Sequence, residues 1–258
     1  MEIWKPLTLQ TNDTWHWKIG NRAFWIQRID NGWKIIGKLE EDFAEEPIIK
    51  QKQDKPEDMA WNTIYSGKKN QIQLLPQLPD KPLLLKPDQE ITLFPKQTLK
   101  IFITAPVWIR IKTISQNEGR MLKEFPSREL SNTWFGEVDS GELAYSSDSP
   151  IYEYFTNIPD SYDRVICPVR IKNMSDIPLD LIRLSLNVSH LNIYTSGNSM
   201  IADMITVEYK GQDQISRVSY NKDKTIDPNM ELTAGARETY KRSILRTSFS
   251  FIRSIYQT

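Results

Sequence analysis

The sequence predicts an all-β protein: two antiparallel β-sandwich-like lobes followed by a C-terminal α-helix. Three observations carry that reading. Apolar and polar residues alternate with a period of two in several stretches, as in Trp15, Trp17 and Ile19, or Val165, Cys167, Val169 and Ile171. Short β-prone runs recur about every eight to twelve residues, the spacing of sandwich or barrel strands. Finally, 15 prolines together with 8 Trp, 10 Tyr and 9 Phe favour strands and turns over a helical bundle.

Taken in order, residues 14 to 38 read as two or three antiparallel strands bounded by Gly20-Asn21 and Asn31-Gly32, the latter a hairpin-turn signal. Glu40, Glu41, Asp42, Glu45, Glu46, Asp54, Glu57 and Asp58 then make residues 40 to 58 an acidic exposed segment without regular structure. Strands return between 71 and 114, each short and separated by prolines at 76, 79, 82, 87, 95 and 106. Proline removes a ladder donor, so these residues belong at strand ends or edges. The polar stretch Ser115-Gln116-Asn117-Glu118-Gly119 marks a boundary. Residues 133 to 220 read as strands again, with a hairpin of 204 to 209 and 215 to 220. Leu245, Phe249, Ile252 and Tyr256 recur at helical spacing, with Arg237, Lys241, Arg242, Arg246 and Arg253 around them. The expected division is therefore a Trp-rich N-terminal β lobe over 1–114, a β-sandwich lobe over 115–225, and a basic amphipathic helix over 226–258.

Composition narrows the function. Thirty-three basic and 33 acidic residues cancel, which argues against a nucleic-acid partner, since that needs a basic excess. The single Cys167 excludes an internal disulfide framework and fits a reducing, cytoplasmic setting. Met1 to Pro6 lacks the basic start and apolar run of a secretory signal. No window approaches the roughly 18 apolar residues of a transmembrane helix.

Candidate sites are few, and each has a structural reading beside it. Glu137, Asp139 and Glu142 crowd one hairpin, where a cation or an acid/base pair would need carboxylates. Asp139-Ser140-Gly141 is also an ordinary turn, with Gly141 free to take positive φ. Trp134 and Tyr145 bracket that hairpin and are expected to be largely buried. His16 and His190 cannot make a zinc site without further ligands, and His16, between Trp15 and Trp17, is expected to point outward. Cys167 reads as a small core residue. Trp4, Trp15, Trp17, Trp25 and Trp33 are either a stacking surface or, more commonly, the core of a β-layer. No P-loop, G-x-G-x-x-G, G-x-S-x-G or H-E-x-x-H occurs, and the 10 glycines do not cluster. No metal or other cofactor is expected.

The hairpin Thr133-Trp134-Phe135-Gly136-Glu137-Val138-Asp139-Ser140-Gly141-Glu142-Leu143-Ala144-Tyr145 resembles the aromatic-Gly…Gly-x-x-x-Tyr hairpin of a prokaryotic family, domain of unknown function 432. Val169-Arg170-Ile171-Lys172-Asn173, Pro178 to Leu184, Ile193-Tyr194 and the Pro106 to Ile111 strand are similar to its later and earlier segments. The resemblance covers roughly residues 80–220. It implies no catalytic residue, because the family has none established, and it implies a loose association with small mechanosensitive channels that these residues do not themselves show.

These readings converge on a non-enzymatic cytoplasmic binding or regulatory module for a protein partner or a second copy, with a membrane surface as one candidate setting. Its working surface is expected to be a shallow inter-lobe groove near the 134–145 hairpin (Trp134, Glu137, Asp139, Glu142, Tyr145), since binding residues concentrate on loops held by rigid scaffolds. The stripe Leu245, Phe249, Ile252 and Tyr256 is expected to meet a partner or a second copy. The alternative is a carbohydrate-binding or carbohydrate-active β protein using Glu137, Asp139 or Glu142 beside tryptophans; carboxylates facing each other across a concave cleft would favour it, and a flat, exposed hairpin the binding module.

Overall fold

The computed structural model describes residues 2–115, 119–136, 141–211, 216–221 and 226–239. Among these the chain is β throughout, with two short 3-10 turns at Glu2–Trp4 and Phe155–Asn157. The strands are β1 (Leu7–Thr8), β2 (Thr14–Ile29), β3 (Gly32–Gln51), β4 (Asn62–Tyr65), β5 (Gln71–Gln77), β6 (Leu83–Leu85), β7 (Ile91–Leu93), β8 (Thr98–Pro106), β9 (Trp108–Thr113) and β10 (Met121–Pro126). They continue with β11 (Asn132–Phe135), β12 (Glu142–Ser147), β13 (Arg164–Asn173), β14 (Leu179–Leu181), β15 (Leu184–Leu186), β16 (Ile193–Ser196), β17 (Ser199–Ala202), β18 (Met204–Tyr209), β19 (Arg217–Asn221) and β20 (Glu231–Ala234). Two compact units form, and both are discontinuous in sequence. The first comprises Met1–Gln77, Pro106–Glu129 and Ser161–Asp163; the second comprises Leu78–Ala105, Leu130–Asp160 and Arg164–Thr258. The units thus do not follow the contiguous blocks expected from composition: residues 78–105 belong with the later strands.

The first unit holds the three-stranded sheet β2-β3-β4 and the four-stranded sheet β1-β5-β9-β10. The Asn31-Gly32 turn falls as expected between β2 and β3, with Ile29 opposite Gly32. The Gly20-Asn21 signal does not end a strand. It marks a bulge, where the β2–β3 register shifts on both sides of Gly20 and Gly20 takes φ +59. A Cβ there would stand 3.0 Å from the Ser127 carbonyl oxygen and 3.1 Å from Asp163 Oδ2, so only glycine fits comfortably. Residues 161–163 also tie this unit together: Asp163 O accepts from Val107 N at 2.8 Å and from Ser127 Oγ at 3.1 Å, and Arg128 Nε donates to its carboxylate at 2.8 Å.

The tryptophan concentration is core. Trp4, Trp17, Trp25 and Trp33 are buried, Trp17 stacks on Phe24 at 5.5 Å, and Phe24 meets Phe125 at 5.8 Å. The acidic segment is not irregular up to residue 51: β3 runs through Gln51, antiparallel to β2, with Trp15 opposite Gln51. Pairing overrides composition because the acids answer a buried cation. Lys18, only 3 % exposed, donates to Glu40 at 2.8 Å and to Asp42. Burial raises the Glu40 carboxyl, but the Lys18 and Lys38 ammoniums outweigh it and hold it below the ordinary value.

His16 does not point into solvent. Its ring stacks on Trp25 at 4.6 Å, and both ring nitrogens are enclosed without a hydrogen-bond partner. Burial lowers its pKa from 6.5, opposed by Glu40 and assisted by Lys50, Lys18 and Lys38. The folded state therefore holds the ring neutral, while the unfolded chain takes up a proton near 6.5. Stability from this source is present above that value and is lost as pH falls through it toward the lower folded pKa. Urea midpoints followed by tryptophan fluorescence should drop from about pH 7.5 to about pH 5.5, and His16→Phe should flatten that slope. An equal slope in the variant would remove His16 as its origin. The Glu40 contribution is lost separately, at pH below the ordinary carboxyl value of 4.5.

The second unit contains a seven-stranded sheet in the order β19-β18-β13-β17-β16-β20 with β8 against β13, the sheet β11-β12-β6-β15, and the pair β14-β7. Contrary to the expectation of antiparallel lobes, β13 runs parallel to β17 and β18, and β12 runs parallel to β6. Buried Val165, Cys167, Val169 and Ile171 fill its core with Ile193, Ile201, Ile205 and Val207. Burial pushes the Cys167 thiol up to about 12, so this residue is an inert apolar filler, as read from its place in the strand. Asn173 is fully buried and fully bonded. Its amide donates to Leu93 O at 2.8 Å and Ile177 O at 2.7 Å, and its Oδ1 accepts from Ser175 N at 3.0 Å and Ser175 Oγ at 2.7 Å. The expected helix over 226–258 is corrected in its first part. Residues 231–234 form β20, with Leu232 opposite Tyr194 and Thr233 Oγ1 bonded to Thr195 Oγ1 at 3.1 Å. Leu245, Phe249, Ile252 and Tyr256 lie outside the described residues.

Candidate functional site

The hairpin singled out by its sequence is β11 and β12, wholly within the second unit. Asn132 pairs with Tyr145, Thr133 with Ala144, Trp134 with Leu143 and Phe135 with Glu142. Because side chains alternate across a strand, the hairpin has two distinct faces. Trp134, Leu143 and Tyr145 share one; Thr133, Ala144 and Ser146 share the other.

The first face corrects the expectation that Trp134 is core. Trp134 is 49 % exposed and Leu143, directly opposite, is 44 % exposed. The buried aromatic of the hairpin is its neighbour Phe135, and Ala144 is buried opposite Thr133. Aromatic character alone could not tell Trp134 from Phe135; the register of the pleat decides it. Tyr145 is half-buried. Its hydroxyl donates to Asp80 Oδ1 at 3.0 Å, and Lys81 Nζ stands 4.6 Å above its ring while donating to Asn132 Oδ1 at 2.8 Å. Burial, then the Asp80 contact, pushes the Tyr145 phenol up to about 12, so it stays a hydrogen-bond donor. This arrangement braces the base of the hairpin and leaves the Trp134–Leu143 pair presented beyond it.

The backbone turns at Gly136, with φ +108; a Cβ there would meet Gly141 Cα at 2.9 Å. Glu137 and Asp139 lie outside the described residues. Glu142 is exposed overall, yet partial burial of its carboxyl raises its pKa. Among the described residues no group of three or more His, Cys, Asp or Glu is placed to hold a metal ion. His190, the second histidine, lies elsewhere in the unit, its Nδ1 3.2 Å from Glu238 O.

On the other face opens a cleft of about 630 Å³, lined by Leu84, Lys86, Asp88, Thr133, Ser146 and Arg183 among others. Sequence reading missed Lys86, Arg183, Asp80 and Lys81. They lie far apart in the chain, and only the β12-β6-β15 pairing brings the cleft residues together. The one available signal was local: Lys86-Pro87-Asp88 ends a Leu-rich run with a turn.

A family model, Protein of unknown function (DUF432), matches residues 3–253. The match extends well past the 80–220 stretch that carried the resemblance, taking in the Trp-rich start and most of the tail. No curated protein and no solved structure matches the chain.

Proposed function

Because the chain belongs to the DUF432 family, which carries no functional assignment, we propose from its own geometry that it is a non-enzymatic binding module whose β11–β12 hairpin docks on a protein partner. The observation that supports this most is the Trp134–Leu143 pair. It is half-exposed, directly opposed, and set where β11 ends its sheet among the described residues. Half-exposed tryptophan is the residue type that most often anchors a protein interface, and a terminal strand offers its backbone to an added strand. The exposure of Trp134 and Leu143, together with a cleft behind them that no aromatic ring lines, favours a binding module over a carbohydrate-active cleft. No helix among the described residues is long and apolar enough to cross a membrane.

Trp134→Ala is expected to cost at most about 1 kcal/mol of stability, because truncation of a half-exposed side chain leaves no core cavity. The same change should abolish in-cell photo-crosslinking to a partner from a probe placed at Leu143. A variant that unfolds outright, or that keeps the full crosslinking pattern, would overturn the proposal.

A further inference from the structure

The cleft behind the hairpin holds an electrostatic arrangement that the fold itself does not use. Leu85 of β6 stands opposite Leu184 of β15, and Lys86 and Arg183 are the next residues outward on each strand. Two cations are thus carried to facing positions at the ends of paired strands, where like charges oppose pairing. Neither makes a hydrogen bond or ion pair among the described residues, although Asp88 and Asp148 line the same cleft. Lys18, Lys96 and Lys172, by contrast, each meet a carboxylate, of Glu40, Asp176 and Glu208 respectively. Thr133, Ser146, Ser147 and Ser149 add hydroxyls to the lining, beside Leu84 and Pro87. The volume, about 630 Å³, lies within the range of about 300–1,000 Å³ common to small-molecule sites.

We propose that this cleft binds a phosphate ester carried on a polyol, with Lys86 and Arg183 on the phosphate and Asp88, Asp148 and Ser146 on the hydroxyls. The phosphate follows from the paired cations: a guanidinium fork and an ammonium are the usual partners of its oxygens. The polyol follows from the rest of the lining. The two carboxylates accept hydrogen bonds from ligand hydroxyls and disfavour a ligand that sets a second phosphate beside them, as a nucleic-acid backbone would. No aromatic ring lines the cleft, so nothing stacks on a base or on the apolar face of a neutral sugar. The site is independent of the protein-docking face, because Thr133 and Trp134 alternate across the strand.

The phosphate ester has two sources, a free metabolite or a lipid headgroup, and calorimetric titration of the full chain separates them. The probes are glycerol phosphate, inorganic phosphate, glycerol, and phosphatidylcholine vesicles with and without phosphatidylinositol. Saturable binding of glycerol phosphate, weakened at least about tenfold in both Lys86→Gln and Arg183→Gln, is expected for a free ligand. Binding confined to the phosphatidylinositol vesicles, with the same dependence on both variants, supports a headgroup. Both side chains are exposed at strand ends, so melting temperatures should hold in the variants; Ser146→Leu, which fills the cleft without altering charge, provides a second block. Absence of saturable binding to either phosphate ester overturns the proposal, as does binding unchanged in both charge variants. Inorganic phosphate bound as tightly as glycerol phosphate overturns the polyol assignment.

Discussion

Replacing Trp33 with alanine is expected to destabilise the protein by about 3–5 kcal/mol, the range for truncating a core aromatic. Trp33 is completely buried, the largest side chain among the described residues to be so, and the Arg28 guanidinium lies 5.3 Å from its ring centroid. Truncation leaves a cavity beneath the β2–β3 hairpin and strips a stacking partner from an arginine that is itself only 3 % exposed. Against a total stability of about 5–15 kcal/mol, that loss brings the unit close to unfolding. Urea denaturation followed by tryptophan fluorescence measures it. A loss below about 1 kcal/mol would contradict the burial of this residue.

The second large effect is expected at Asn173. Its four side-chain hydrogen bonds reach two carbonyls and the Ser175 backbone N–H and hydroxyl, all close to one buried point. Asn173→Leu keeps the number and branching of the side-chain heavy atoms but is bulkier and leaves those groups without partners, which costs at least about 2–4 kcal/mol. Asn173→Asp keeps the shape, replaces the amide donors with an acceptor facing Leu93 O and Ile177 O, and should be at least as harmful at neutral pH. If leucine and aspartate variants both melt like the parent, the hydrogen-bond knot contributes nothing.

The all-β class was legible because the period-two pattern of residues 15–19, 165–171 and 204–209 reports a pleat directly, although residues 165–169 and 204–207 prove buried on both faces. The turn at Asn31-Gly32 and the core roles of Cys167 and most of the tryptophans were legible for the same reason. Three features were not. The strand from Glu40 to Gln51 is held by long-range pairing with β2 and by Lys18, and a local reading of its acids sees only solvent exposure. The face of Trp134 depends on register, which slips every side chain to the opposite side with a shift of one residue. The cleft depends on Lys86, Asp148 and Arg183 meeting at the ends of three strands, and no spacing in the chain encodes that meeting.

The discontinuity of the first unit has a bearing on how the chain matures. Its β10 lies at 121–126 and its tie through Asp163 comes later still, after the chain has already laid down β6 to β8 and the β11–β12 hairpin of the other unit. During synthesis from the N-terminus, the long β2–β3 hairpin can close at once, because its contacts are local. The sheet β1-β5-β9-β10 is complete only once residue 126 has emerged, and its tie through Asp163 only at residue 163; until β10 is in place Phe24 lacks its contact with Phe125. The two units are therefore interleaved along the chain, and completing the first requires closing loops over the intervening segments 78–105 and 130–160, at an entropic cost that grows slowly with their length. Asp163, with three backbone and side-chain ties in one residue, acts as the latch that ends this wait.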